Sequence, residues 1–124
     1  MDTIAILIPV FNEEKSIVEL TNELEKACVL ISNTHKVNFR IIFVDDGSSD
    51  SSVERIIQLK DHQLPIQLIS LSRNFGKEAA ISAGLEAGKD DSAILIMDAD
   101  LQHPPALIQK LIGEYMNKNV DMVY

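Results

Sequence analysis

Short apolar runs alternate along this chain with longer stretches of helical period. Ile4–Val10, Phe39–Val44, Ile66–Leu71, Ala93–Met97 and Val120–Tyr124 read as strands, and the first four are almost continuously apolar. Such runs suit strands covered on both faces, because successive side chains point to opposite sides of a sheet. Between them, Ile17, Leu20, Leu24, Cys28 and Ile31 recur at intervals of three and four and predict one apolar helix face. Val53, Ile56, Ile57 and Lys60 follow the same period over a shorter span, with Ser51 and Glu54 spaced for a capping box. Lys77–Ala87 carries Ala79, Ala80, Ala83 and Gly84, small enough to bring a helix close to a sheet. A fourth helix is expected to open at Pro104-Pro105 and to use Leu107, Ile108, Leu111, Ile112 and Tyr115. This alternation predicts βαβ units and an α/β fold, a mostly parallel Rossmann-like sheet with helices on both faces.

Composition narrows the function. The 124 residues suit one domain, and a 46% hydrophobic content can fill its core. Acidic residues outnumber basic ones by 19 to 11, a formal charge of −8, which repels phosphate backbones and argues against a nucleic-acid partner. The single cysteine, Cys28, cannot form an internal disulfide, and its place in an apolar helical stripe points to packing rather than catalysis. No apolar run approaches the roughly 20 residues that cross a bilayer. The opening residues MDTIAILIPV lack the basic start of a signal peptide, so a cytoplasmic location is expected.

Ligands of such sheets gather where strands run into helices at their carboxyl ends. Four polar loops occupy those places: Phe11 to Glu14, Asp45 to Asp50, Ser72 to Lys77, and Asp98 to Pro104. They are therefore expected on one rim. Asp98 and Asp100, two apart in extended backbone, would point the same way and could share a cation, with Gln102 repeating the spacing. Oxygen ligands of this kind suit Mg²⁺ or Mn²⁺. The alternative is that strand-end aspartates only cap the next helix. Asp46, beside Asp45, can accept bonds from ribose hydroxyls or base N–H groups, or can simply close a turn. Pro9 is expected to close strand pairing, Phe11 to offer a face for a base, and Asn12 otherwise to cap the first helix. Arg73 and Lys77 are basic residues on an acidic rim, suited to a diphosphate or to pairing with the aspartates. His103 has no second histidine at ligand spacing, which favours a surface role.

In order and spacing, Pro9-x-Phe11-Asn12-Glu13, Val44-Asp45-Asp46-Gly47-Ser48, Arg73-Asn74-Phe75-Gly76-Lys77 and Asp98-Ala99-Asp100-Leu101-Gln102-His103-Pro104 resemble the signature set of glycosyltransferase family 2. The likeness is greatest to its polyprenol-phosphate branch and covers essentially the whole chain. It implies a GT-A-type fold and an inverting transfer of a hexose from a UDP- or GDP-sugar to a polyprenyl phosphate. By position it implies that Pro9, Phe11 and Glu13 line the nucleoside pocket and that Asp46, with Asp45, contacts base or ribose. It further implies that Asp98, Asp100 and Gln102 hold the metal against the diphosphate, with Arg73 or Lys77 near the phosphates.

In this family an acceptor-binding half follows, often with membrane helices and a place at the cytoplasmic face of a membrane. Residues 1–124 are accordingly expected to be the nucleotide-sugar-binding part, inactive alone and able to self-associate through an open sheet edge. A sugar-nucleotide nucleotidyltransferase would be expected to carry a glycine-rich, basic loop after its first strand, and Pro9 to Glu14 is neither. A phosphoacceptor receiver domain would place its aspartates after the first and second strands, whereas Asp98 and Asp100 follow the fourth.

Overall fold

The structure, a computed structural model, describes residues 2–59, 63–100, 109–110, 113–114 and 122–123. Its elements run β1 (Thr3–Val10), α1 (Ile17–His35), β2 (Asn38–Asp45), α2 (Ser52–Ile57), β3 (Ile66–Ser70), α3 (Lys77–Ala87), β4 (Ala93–Ile96) and β5 (Met122–Val123). The strands form one sheet in the order β3-β2-β1-β4-β5, and every described pairing is parallel. The expected fourth helix lies mostly outside the described residues, although Gln109, Lys110, Gly113 and Glu114 are helical.

Period-two alternation in β1 builds both halves of the core. Ile4, Ile6, Ile8 and Val10 face one layer, where Ile17, Leu20, Leu24, Ala27 and Cys28 of α1 cover them. Ala5 and Leu7 face the other layer, with Ile42, Val44 and Ala80. α3 sits close here because Gly84 has no side chain: a Cβ at that position would fall on Leu7. The small residues of α3 thus set how near the helix lies to the sheet.

Three expectations change. Pro9 does not end β1, since it is in register with Val44, and Val10 with Asp45. In a parallel strand the N–H and C=O of one residue share a side, and these sides alternate along the chain. The Leu7 carbonyl accepts from Met97 beyond β4, and the Val10 carbonyl accepts from Asp46 beyond β2. Pro9 therefore turns its missing N–H toward β4, where the register stops at Leu7↔Ile96.

The second change is in α2, which has six residues, buries Ile56 and leaves Ile57 63% exposed. Ser51 stands at its N-cap without a side-chain cap bond, so the capping box with Glu54 does not form. The Ser51 N–H is instead taken by the Glu14 carboxylate at 2.9 Å. Third, Asn12 does not cap α1, whose N-cap is Ser16.

Candidate functional site

The register aligns the strand ends. Val10 is paired with Asp45, and Asp45 with Ser70, so the loops that follow leave the sheet side by side. Asn12 adopts a left-handed conformation, φ 54°. Its side-chain oxygen accepts the N–H groups of Ser49 at 2.8 Å and Asp50 at 3.3 Å, and its own N–H donates to the Ser48 hydroxyl at 2.9 Å. Glu13 donates its N–H to the Ser52 hydroxyl at 2.8 Å, and Glu14 donates to Asp50 at 3.2 Å. The first and second loops are thereby laced together.

The adjacent aspartates Asp45 and Asp46 are both buried, yet they face different tasks. Asp45 accepts the Ser48 N–H at 3.0 Å and the Ser48 hydroxyl at 2.5 Å, which closes the turn. Asp46 instead accepts the Phe75 N–H at 2.8 Å and the Gly76 N–H at 3.0 Å, gripping the loop before α3. Gly47, φ 75°, lies under that loop, and a Cβ there would run into the backbone of Arg73 and Asn74.

A cleft of about 240 Å³ opens between these loops, lined by Pro9, Val10, Phe11, Glu13, Asp46, Lys77, Asp98, Ala99 and Asp100. The convergence expected from topology therefore holds among the described residues. Asp45 and Arg73 are not among the lining residues; Asp45 is spent on its turn, and the Arg73 guanidinium sits 4.8 Å from the centre of the Phe75 ring. Gln102 and His103 lie outside the described residues.

Asp98 and Asp100 face the cleft for a reason other than strand alternation. β4 ends at Ile96, and Ala99 and Asp100 form a turn. Ala99 is buried in the core, and its carbonyl accepts the Ser16 hydroxyl at 2.7 Å. Asp98 and Asp100 flank this anchored residue and line the cleft with it. Ser16 thus ties the start of α1 to the acidic loop, a role that sequence inspection missed because only the fold brings residues 16 and 99 together. The Lys77 ammonium contacts Asp98 at 2.6 Å, with side-chain exposures of 60% and 39%.

Among the described residues, no group of three or more His, Cys, Asp or Glu side chains forms a metal cage. Two carboxylates on a cleft wall fit a different kind of site, one in which a hard cation completes its shell with phosphate oxygens and water. Asp98 and Asp100 are the residues that would hold it.

Residues 5–124 match the profile described as Glycosyl transferase family 2. The chain belongs to that family. An undecaprenyl-phosphate 4-deoxy-4-formamido-L-arabinose transferase of Pseudomonas savastanoi pv. phaseolicola is 41% identical over 111 residues, covering 89% of this chain and 32% of that protein. The chain spans about a third of the length of the curated relatives it matches. Among solved structures, residues 1–349 of Staphylococcus aureus TarS in complex with UDP superpose with a TM-score of 0.66 and 26% identity, over 81% of this chain and 28% of that one. A mannosyltransferase from Pyrobaculum calidifontis in complex with GDP-Man and Mn²⁺ gives 0.68 at 18% identity, over 86% and 30%. The fold is GT-A, as the family resemblance implied.

Proposed function

We propose that this chain is the donor-binding part of an inverting glycosyltransferase that moves a hexose from a UDP- or GDP-sugar to a polyprenyl phosphate. The observation that carries this reading is the charge of the cleft: Glu13, Asp46, Asp98 and Asp100 line it, against Lys77 as the basic residue among the described lining. Such a wall repels a bare diphosphate and accepts one that arrives with a divalent cation. When bound, Mg²⁺ or Mn²⁺ supplies Lewis-acid neutralisation of the departing nucleoside diphosphate.

The chain's own residues divide the remaining work. Pro9 and Phe11, the latter 46% exposed, form a flat apolar wall for a base. Asp46 lines the same cleft; a carboxylate has about four lone-pair sites, so it can hold its loop and still accept from a nucleoside. Lys77 stands at the phosphate end beside Asp98. A phosphate monoester acceptor is already an anion near neutral pH, its second pKa being about 6, so it needs little help from a general base. Orientation and charge neutralisation are then the main tasks.

The similar proteins support this assignment by what their names state: one acts with undecaprenyl phosphate, one is bound to UDP, and one to GDP-Man and Mn²⁺. Such an acceptor is a membrane lipid, which sets the reaction at a membrane surface. No described helix is itself long and apolar enough to cross a membrane. Calorimetric titration of UDP and GDP into the chain, in Mn²⁺ and in EDTA, tests the donor side. Equal affinity in both buffers would count against it. Transfer of labelled hexose to undecaprenyl phosphate, compared with a saccharide acceptor, tests the acceptor side.

A further inference from the structure

We infer that Lys77 is an exchangeable counter-ion of this cleft. Without donor, its ammonium holds the Asp98 carboxylate; when a divalent cation takes that carboxylate, Lys77 is released to the incoming phosphates. The inference rests on the donor-binding reading above and goes beyond it, because it assigns Lys77 two successive partners.

The geometry supplies both ends of the exchange. Lys77 is the first residue of α3, and its Nζ lies 2.6 Å from Asp98 Oδ1. Its backbone position is fixed, because Asp46 holds the N–H of Gly76 immediately before it. Its side chain is not: it is 60% exposed on a flexible four-carbon stem. An exposed ion pair of this kind is weak, so a doubly charged ion competes for the carboxylate easily. Two cations cannot share Asp98 without repulsion. Once displaced, Lys77 remains tethered to the cleft wall, and a bound diphosphate is the anion best able to receive it.

This arrangement predicts effects of opposite sign in two titrations. Lys77→Gln should bind Mn²⁺ alone about two- to five-fold more tightly than wild type, since the competitor is gone. The same variant should bind UDP or GDP in saturating Mn²⁺ about three- to ten-fold more weakly. Lys89→Gln, which removes the same charge beyond the far end of α3 from a pair with Glu86, should change neither. Circular dichroism confirms that each variant is folded.

A readout on the unsubstituted chain accompanies these. Acetylation of Lys77 by an N-hydroxysuccinimide ester, followed by mass spectrometry, should speed up on adding Mg²⁺ and slow again on adding UDP or GDP with it. Unchanged or weaker Mn²⁺ binding by Lys77→Gln, or tighter binding of both ligands, overturns the exchange. So does acetylation indifferent to Mg²⁺, a result that stands even if Lys77→Gln fails to fold. If wild type binds no nucleotide in Mn²⁺, the donor reading and the second half of the exchange fall together. The Mn²⁺ titration and the Mg²⁺ acetylation arm still judge the first half.

Discussion

The Asp46 carboxylate accepts the Gly76 N–H at 3.0 Å, so the end of β2 holds the turn from which α3 starts. The same carboxylate takes the Phe75 N–H at 2.8 Å, and Asp46 and Phe11 are both among the cleft's lining residues. A bond from a base N–H or ribose hydroxyl to this carboxylate would need no cation either. Asp46→Asn should therefore weaken UDP, GDP and the bare nucleoside about ten-fold or more, in Mn²⁺ and in EDTA alike. Asp100→Asn should spare the nucleoside and weaken only the diphosphate in Mn²⁺. A two-by-two titration separates them; unchanged nucleoside binding by folded Asp46→Asn would return Asp46 to a purely structural role.

Two glycines of the rim differ in what a methyl group would meet. Gly47 and Gly76 both have positive φ, 75° and 107°, so alanine is strained at either. At Gly47 the added Cβ also runs into the backbone of Arg73 and Asn74, whereas at Gly76 nothing lies within 4 Å. Gly76→Ala, at φ 107° and ψ 159°, should cost about 1–3 kcal/mol in urea unfolding, and Gly47→Ala, which adds the backbone clash, more. Equal costs would show that the two loops do not press on each other.

Asp50 links the loop lattice to pH. Burial pushes its carboxyl up, but hydrogen bonds from the Ser52 hydroxyl, the Ser52 and Glu14 backbone and its own N–H outweigh this and hold it below the ordinary 3.8. A carboxylate with a lowered folded value contributes stability above its unfolded pKa and loses it as pH falls through the folded one. Wild type should lose stability on acidification below pH about 4, and Asp50→Asn should show a flatter acid limb. Parallel acid limbs in the two proteins would refute the assignment.

Cys28 is buried in the α1 face, and burial pushes its thiol up to about 12. Thiolate is the reactive form, so the folded chain should resist iodoacetamide at mildly alkaline pH and react only as denaturant opens the core. Rapid labelling without denaturant would place Cys28 outside the packed layer.

Local periodicity was enough for much of this protein. The apolar runs of β1 to β4 and the helix Lys77–Ala87 were legible because side-chain alternation and helical repeat are properties of neighbouring residues. The meeting of the loops on one rim followed from strand–helix alternation, since parallel strands all deliver their loops to the same end. Which partner each polar side chain takes was not legible. Asp45 and Asp46 are identical neighbours in the sequence, yet backbone alternation at the end of β2 sends one to Ser48 and the other to the loop before α3. Pro9 lacks the N–H that would carry pairing toward β4 past Leu7↔Ile96, while pairing toward β2 runs on to Val10↔Asp45, and which neighbour faces the missing N–H is set by the sheet order. The bonds from Lys77 to Asp98 and from Ser16 to Ala99 join residues far apart along the chain. Sheet register and helix packing bring them within reach, and spacing along one segment does not encode that closeness.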